Sequence, residues 1–287
     1  MLSYIYGRSD ASGIPKANIH RKSWLHMAEN KIKITWYGTA SVRIAAGSSQ
    51  LLIDPFYPFP DSQIRVAPHT FADCGHILIS HGHFDHIGSI SEIVRDADDK
   101  TIVHCTKTPY QTLLRKGVGE TNLHQIGAGD VFRAGAFQIT AYQGKHIHIS
   151  AGYSMQVMCS RHAVQYRKGM LGKLMKLASC PEKNETMCYL VEGFGKRILI
   201  LGSLALAPDI AYPTGADLAC FPYQGSRDLC GIAWDIYRQL KPKAVLLTHY
   251  DDTFPPFSSE IDTSEFEQIM KTHAAVYKLP HGGMLEI

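Results

Sequence analysis

Alternation of apolar and polar positions begins at Lys31. Lys31-Ile32-Lys33-Ile34-Thr35-Trp36 has the period-two pattern of a half-buried strand. Gly38 breaks it, Ser41 to Ile44 resumes it, and Gln50 to Asp54 reads as a third strand. Pro55, Pro58 and Pro60 then impose a loop. His76-Ile77-Leu78-Ile79 is a short apolar run, as in a fully buried strand, and Ser89 to Val94 reads as helix. Thr101 to Cys105 predicts a strand and Lys107 to Lys116 a helix. Residues 131 to 141 predict a hairpin turning at Gly135 and running into His146-Ile147-His148. Further strands are expected at Met187 to Val191, Arg197 to Leu201, Ala216 to Phe221 and Lys243 to Thr248. Helices are expected at Asp228 to Leu240 and Ser264 to Thr272. Ala275 to Lys278 and Met284 to Ile287 read as closing strands.

Two stretches break this rhythm. Residues 1 to 30 are polar and aperiodic, and read as an arm on the surface or toward a partner subunit. Residues 150 to 184 carry Arg161, Arg167, Lys168, Lys173, Lys176 and Lys183, interleaved with Met155, Met158, Met170 and Met175. Tyr166 to Ala178 has amphipathic helical character that Gly169 and Gly172 weaken. This stretch reads as an insertion forming a lid, or as a solvated basic helix packed on the body. The rest, 31 to 287, reads as one domain.

The densest chemistry lies in Ser80-His81-Gly82-His83-Phe84-Asp85-His86-Ile87-Gly88. The strand before it and the helix after it place it on a loop, where a scaffold can aim side chains into a cleft. Imidazole and carboxylate suit zinc and its first-row neighbours. One loop cannot wrap a single ion with all four groups, so His81 and His83 would share one ion while Asp85 and His86 point to a second. The rival reading is a polar loop whose histidines are solvated or cap the next helix. Two later strands also end on histidine. One offers His146 or His148, with His146 preferred, and the other offers His249, followed by Asp251. Asp54, at the end of a buried strand, is a candidate acceptor behind a ligand histidine, or a loop cap.

Composition narrows the classes. The chain has 287 residues, 45% of them hydrophobic, and 29 basic against 26 acidic residues give a net charge of +3. That balance makes nucleic acid an unlikely partner. The seven cysteines are odd in number and form no Cys-x-x-Cys pair, no leader opens the chain, and no stretch reaches the roughly 20 apolar residues of a membrane span. The expectation is a reduced, cytoplasmic protein acting on a small molecule, with the arm or the insertion available for homo-oligomerisation.

His81-x-His83-x-Asp85-His86, with His146 and His249, resembles the metallo-β-lactamase superfamily. Lys33 to Ser41, Leu52-Ile53-Asp54-Pro55 and His249-Tyr250-Asp251 resemble its ascorbate-6-phosphate lactonase-like branch. The resemblance implies a four-layer αββα sandwich, with two mixed β-sheets flanked by helices and a metal site at one edge between the sheets. It implies His81, His83 and His146 as ligands of one ion, and Asp85, His86 and His249 as ligands of another, the ions being Zn2+ or Mn2+. Two positions depart from the family pattern: Thr39 stands where the branch often has histidine, and Ser203 where the family has a bridging aspartate. The second ion is therefore expected to bind weakly, unless Asp54 or Asp251 substitutes. The implied activity is metal-dependent hydrolysis of a small anionic substrate, phosphorylated or a lactone or ester, by metal-activated water. Asp85 would orient that water, and Arg167 and Lys168 would steer the substrate. The rivals are a phosphodiesterase or nuclease of the same superfamily, and a degenerate metal-binding module.

Overall fold

A computed structural model describes residues 31–287. The arm expected at 1–30 lies outside the described residues. Fourteen strands form two seven-stranded sheets among the described residues. The first contains β1 (Lys33–Gly38), β2 (Ser41–Ala46), β3 (Ser49–Ile53), β4 (His76–Leu78), β5 (Ile102–Cys105), β6 (Leu123–Gln125) and the last strand, β14 (Met284–Glu286), in the order β14-β1-β2-β3-β4-β5-β6. The second contains β7 (Val131–Ala134), β8 (Phe137–Gln143), β9 (Met187–Gly193), β10 (Lys196–Ile200), β11 (Leu218–Pro222), β12 (Ala244–Thr248) and β13 (Ala275–Tyr277), ordered β13-β12-β11-β10-β9-β8-β7. Both sheets are mixed. β14 to β3 and β7 to β10 pair antiparallel, whereas β3 to β6 and β10 to β13 pair parallel.

The side-chain alternation of a strand explains the layers. In β3, Leu51 and Ile53 join the core between the sheets, while Leu52 faces the outer layer. Across β4, Leu78 faces the inner core and Ile77 and Ile79 the outer one. These parallel strands are covered on both faces, so they read as continuous apolar runs. Helices α1 (Phe84–Ile87), α2 (Ile90–Asp96) and α3 (Lys107–Arg115) cover the first sheet, and α7 (Leu229–Leu240) and α8 (Ser264–Met270) the second. The result is a four-layer sandwich, as expected.

Residues 151–178 fold into three helices, α4 (Ala151–Met158), α5 (Arg161–Gln165) and α6 (Met170–Ala178). The single helix expected from Tyr166 starts only at Met170, because Gly169 is left-handed, with φ +73°. Glycine enters that region without the clash a Cβ would bring. Gly82 joins this segment to the histidine loop: a Cβ there would lie 2.6 Å from the Pro181 carbonyl oxygen.

Candidate metal centre

The loop after β4 is pinned from several sides. Ser80 N–H donates to Asp54 Oδ1 (2.7 Å), and Met187 N–H donates to Ser80 O (2.8 Å). Tyr189 Oη donates to Ile79 O (2.6 Å). The chain then turns into α1, whose first turn carries Asp85 and His86. His146 arrives on the segment after β8. There Ile147 N–H donates to Ser203 Oγ at 3.0 Å. Gly202, next to Ser203, lets the end of β10 lie against β9, since a Cβ there would lie 2.2 Å from Met187 O. His249 follows β12 in the left-handed region, φ +60°, with its N–H bonded to Thr39 O at 2.8 Å. Thr39 is itself left-handed, φ +42°, and its N–H donates to Asp251 Oδ1 at 3.0 Å. The Asp251–Thr39–His249 chain of contacts holds two strained residues in place.

Six side chains converge in two groups of three, His81–His83–His146 and Asp85–His86–His249, with one potential ligand atom from each lying within 4.8 Å of the others in its group. The groups abut, the His81 and His86 ring centroids being 3.9 Å apart. His148 is exposed and belongs to neither group, so His146 is the histidine brought to the cluster.

Four of the imidazoles are anchored through Nδ1. His86 donates to Asp54 Oδ2 (2.8 Å), His146 to Ile147 O (2.8 Å) and His249 to Gln224 Oε1 (2.8 Å), and His81 Nδ1 lies 3.0 Å from Ser80 Oγ. Gln224 is held in turn by its Nε2 donating to Phe257 O at 2.9 Å. The three oxygens that can only accept leave Nε2 of His86, His146 and His249 as a lone-pair donor, as metal-ligating histidines require. His249 Nε2 lies 2.9 Å from Asp85 Oδ2, and His81 Nε2 lies 3.1 Å from His83 Nδ1. Lone pairs that close repel unless a proton or a metal cation sits between them. The donor set therefore fits a cation, and nitrogen with carboxylate oxygen is a zinc-type set.

The electrostatics of the first group agree. Burial, with the other histidines, holds His81 well below its ordinary range, and burial brings His83 down to about 4 and lowers His146. These three rings are neutral at neutral pH, the state that ligation needs. Burial would push the Asp85 carboxyl up, but the neighbouring His86 and then His249 imidazoles outweigh it and hold it well below the carboxylate range. Burial would lower His86, yet Asp54 and Asp85 raise it.

Neither carboxylate weighed as a substitute bridge is free for that role. Asp251 lies outside the cavity wall, its oxygens taken by Thr39, Thr253 and His281, so it is not placed to substitute for a bridge. Asp54 stands where an acceptor behind a ligand histidine was expected, taking His86 Nδ1 and Ser80 N–H, and so is not free to bridge. Arg167 and Lys168 are exposed and do not line the cavity, so they cannot touch a substrate within it. Gln224 was missed, because a glutamine after a strand carries no metal signal until the fold sets it beside His249.

The six side chains floor a cavity of about 490 Å3. Its walls include Phe84, Tyr153, Val157, Met158, Leu177 and Phe254, with Ser203 beside the metal cluster. Among the described residues that line it there is no lysine or arginine.

Residues 49–250 match the family model for the β-lactamase superfamily domain. The chain belongs to that superfamily. Its relatives include proteins named UPF0173 metal-dependent hydrolase. One from Methylobacterium nodulans is 27% identical over 258 residues, covering 88% of this chain and 98% of the relative. One from Pyrococcus abyssi is also 27% identical over 258 residues, covering 89% and 100%. Among solved structures, the metallo hydrolase Igni18 from Ignicoccus hospitalis superposes with a TM-score of 0.63 at 18% identity, covering 90% of this chain and 98% of that one. The metallo-β-lactamase fold protein YhfI from Bacillus subtilis gives 0.55 at 15% identity, covering 90% and 99%. The superfamily and its sandwich thus agree with the resemblance in the motif, while the relatives' names specify no substrate.

Proposed function

We propose that the protein is a metal-dependent hydrolase of small carbonyl substrates, esters or lactones, that carry an apolar group. The observation behind this reading is the pairing of two His/Asp ligand groups with an apolar cavity wall free of cationic side chains. His81, His83 and His146 would hold one ion, and Asp85, His86 and His249 another. A divalent ion in such a site supplies a Lewis acid and a water acidic enough to act as nucleophile near neutral pH. The protein's part is to orient and to exclude. Both His86 and His249 meet Asp85 at Oδ2, at 3.5 and 2.9 Å, which leaves Oδ1 as the acceptor that can orient a water. Asp54 and Gln224 keep the rings of His86 and His249 turned toward the cluster. Ser203 Oγ accepts from Ile147 N–H and retains its own proton to donate to a substrate oxygen. Phe84, Val157, Leu177 and Phe254 keep bulk water from the reacting carbon and receive the apolar group.

A phosphorylated substrate is less suited to this wall. Its doubly charged group would find positive charge only at the metal cluster itself, with no cationic side chain in the lining to add to it. The related names, metal-dependent hydrolase, support the reaction type. The test is turnover by zinc- or manganese-loaded protein of 4-nitrophenyl esters from acetate to octanoate, of aliphatic γ- and δ-lactones, and of bis(4-nitrophenyl) phosphate. kcat/KM should rise along the ester series by about fourfold per buried methylene, before the cavity fills. A preference for the phosphodiester would contradict the reading and favour the phosphodiesterase branch.

A further inference from the structure

We infer that helices α4 to α6 form a docking face for an anionic membrane surface, seated beside the mouth of the active-site cavity. The observation is an inverted helix. In α6 one lysine, Lys173, is inside and three large apolar side chains are outside, while Lys176 is exposed and Met170 and Leu177 are partly buried. Lys173 is 7% exposed: its Nζ donates to Asp61 Oδ2 (2.6 Å) and Pro255 O (3.0 Å) and lies 5.1 Å from the Phe59 ring centroid. Leu171 is 74% exposed, Leu174 40% and Met175 65%. Leu171, Leu174 and Met175 stand at i, i+3 and i+4, so they share one face. The ion pair of buried Lys173 with exposed Asp61 fixes the helix's rotation and turns that face to solvent. A helix folded only for its own stability would bury the leucines and expose the lysine.

The neighbouring helices extend the pattern. Met155 and Met158 of α4 and Val164 of α5 are also exposed. These three helices carry six of the twelve large apolar side chains left exposed among the described residues. Exposed apolar groups collected in one segment mark an interaction surface.

Charge selects the occupant. From residue 131 to 181 there is no aspartate or glutamate, and Arg161, Arg167, Lys168 and Lys176 are all exposed. A second copy seated on this face would set these cations against their own duplicates. An anionic bilayer attracts them and receives the leucines and methionines at the headgroup boundary. No helix among the described residues is long and apolar enough to cross a membrane, so the contact lies on the surface. Val157, Met158 and Leu177, on two of these helices, line the cavity, which makes the docking face continuous with the apolar wall. A substrate partitioned in the bilayer could pass along that wall to the metal cluster. This last step rests on the hydrolase reading, but the docking itself does not.

The test is co-sedimentation of the full chain with vesicles of phosphatidylcholine alone, or with about a third phosphatidylglycerol. The protein should pellet with the anionic vesicles and be released by high salt. Leu171→Glu/Met175→Glu should weaken partition by roughly tenfold or more, with the unfolding temperature unchanged because both positions are exposed. Arg167→Glu/Lys168→Glu should remove the preference for anionic vesicles. Protein that stays in solution with both vesicle types, or an apolar-face variant that pellets like wild type, would overturn the proposal. So would a wild-type dimer, seen by light scattering, that Leu171→Glu/Met175→Glu dissociates, since the face would then belong to a second copy. Vesicle binding is measured without turnover. Failed hydrolysis therefore leaves docking standing, and failed docking leaves hydrolysis standing.

Discussion

Ser203 is the residue on which the metal count turns. Its hydroxyl is neutral and already accepts from Ile147 N–H at 3.0 Å. Two divalent ions in abutting sites repel, and a bridging carboxylate normally offsets that repulsion. Asp54 and Asp251, the other carboxylates considered, are engaged elsewhere. Calorimetric titration with zinc should therefore find about one tight ion in wild type and about two in Ser203→Asp, whose carboxylate can keep the Ile147 bond and bridge with its other oxygen. Two equally tight ions in wild type would refute this. At this scale the ligand types were legible, because histidine and aspartate at tight spacing have few other uses. The anchors were less so. Asp54 could be suspected from its place at a strand end, but Gln224 and the backbone oxygen of Ile147 acquire roles only from three-dimensional proximity.

Among the elements, β4, β5 and β6 bring three histidines together away from the metal cluster. His104 ring nitrogens lie 3.2 Å from His76 and 2.8 Å from His124, and its ring stacks on Phe132 at 4.6 Å. Burial, then repulsion from His124 and His76, brings His104 down to about 3. The unfolded chain takes up this proton near pH 6.5, so it binds more protons than the native state between that value and about 3. Stability is lost as pH falls through this window. His104→Gln should flatten that acid limb in urea titrations between pH 6.5 and 4. An unchanged slope would mean that the ring does not stay neutral in the fold. Strands were well read from alternation, including the hairpin at Gly135, where Ala134 pairs with Phe137. The insertion was read less well. An amphipathic pattern shows that a helix has two faces, but not which one the body takes, and in α6 the Lys173–Asp61 pair reverses the usual choice.

For the whole molecule, two sheets back to back leave an edge where loops from both deliver ligands. The loops after β3 and β4 come from one sheet, and those after β8, β10 and β12 from the other. That edge arrangement follows from the layering and is independent of what the cavity accepts. The resemblance and the basic residues of the insertion suggested an anionic substrate steered by Arg167 and Lys168, but a count of cations in a segment does not say where each one points. Arg167 and Lys168 are exposed outside the cavity, and the wall itself is apolar. The central claim, that the two histidine-rich groups are metal sites on which hydrolysis depends, has a direct test. Elemental analysis and ester turnover should be run on wild type and on His81→Ala/His83→Ala, both purified without added metal. Wild type should carry bound zinc, manganese or iron and hydrolyse 4-nitrophenyl hexanoate. The double variant should remain folded, lose the ion of the first group and fall by at least about a hundredfold in kcat/KM. Equal metal content in the two proteins, or turnover that survives in the variant, would contradict the account.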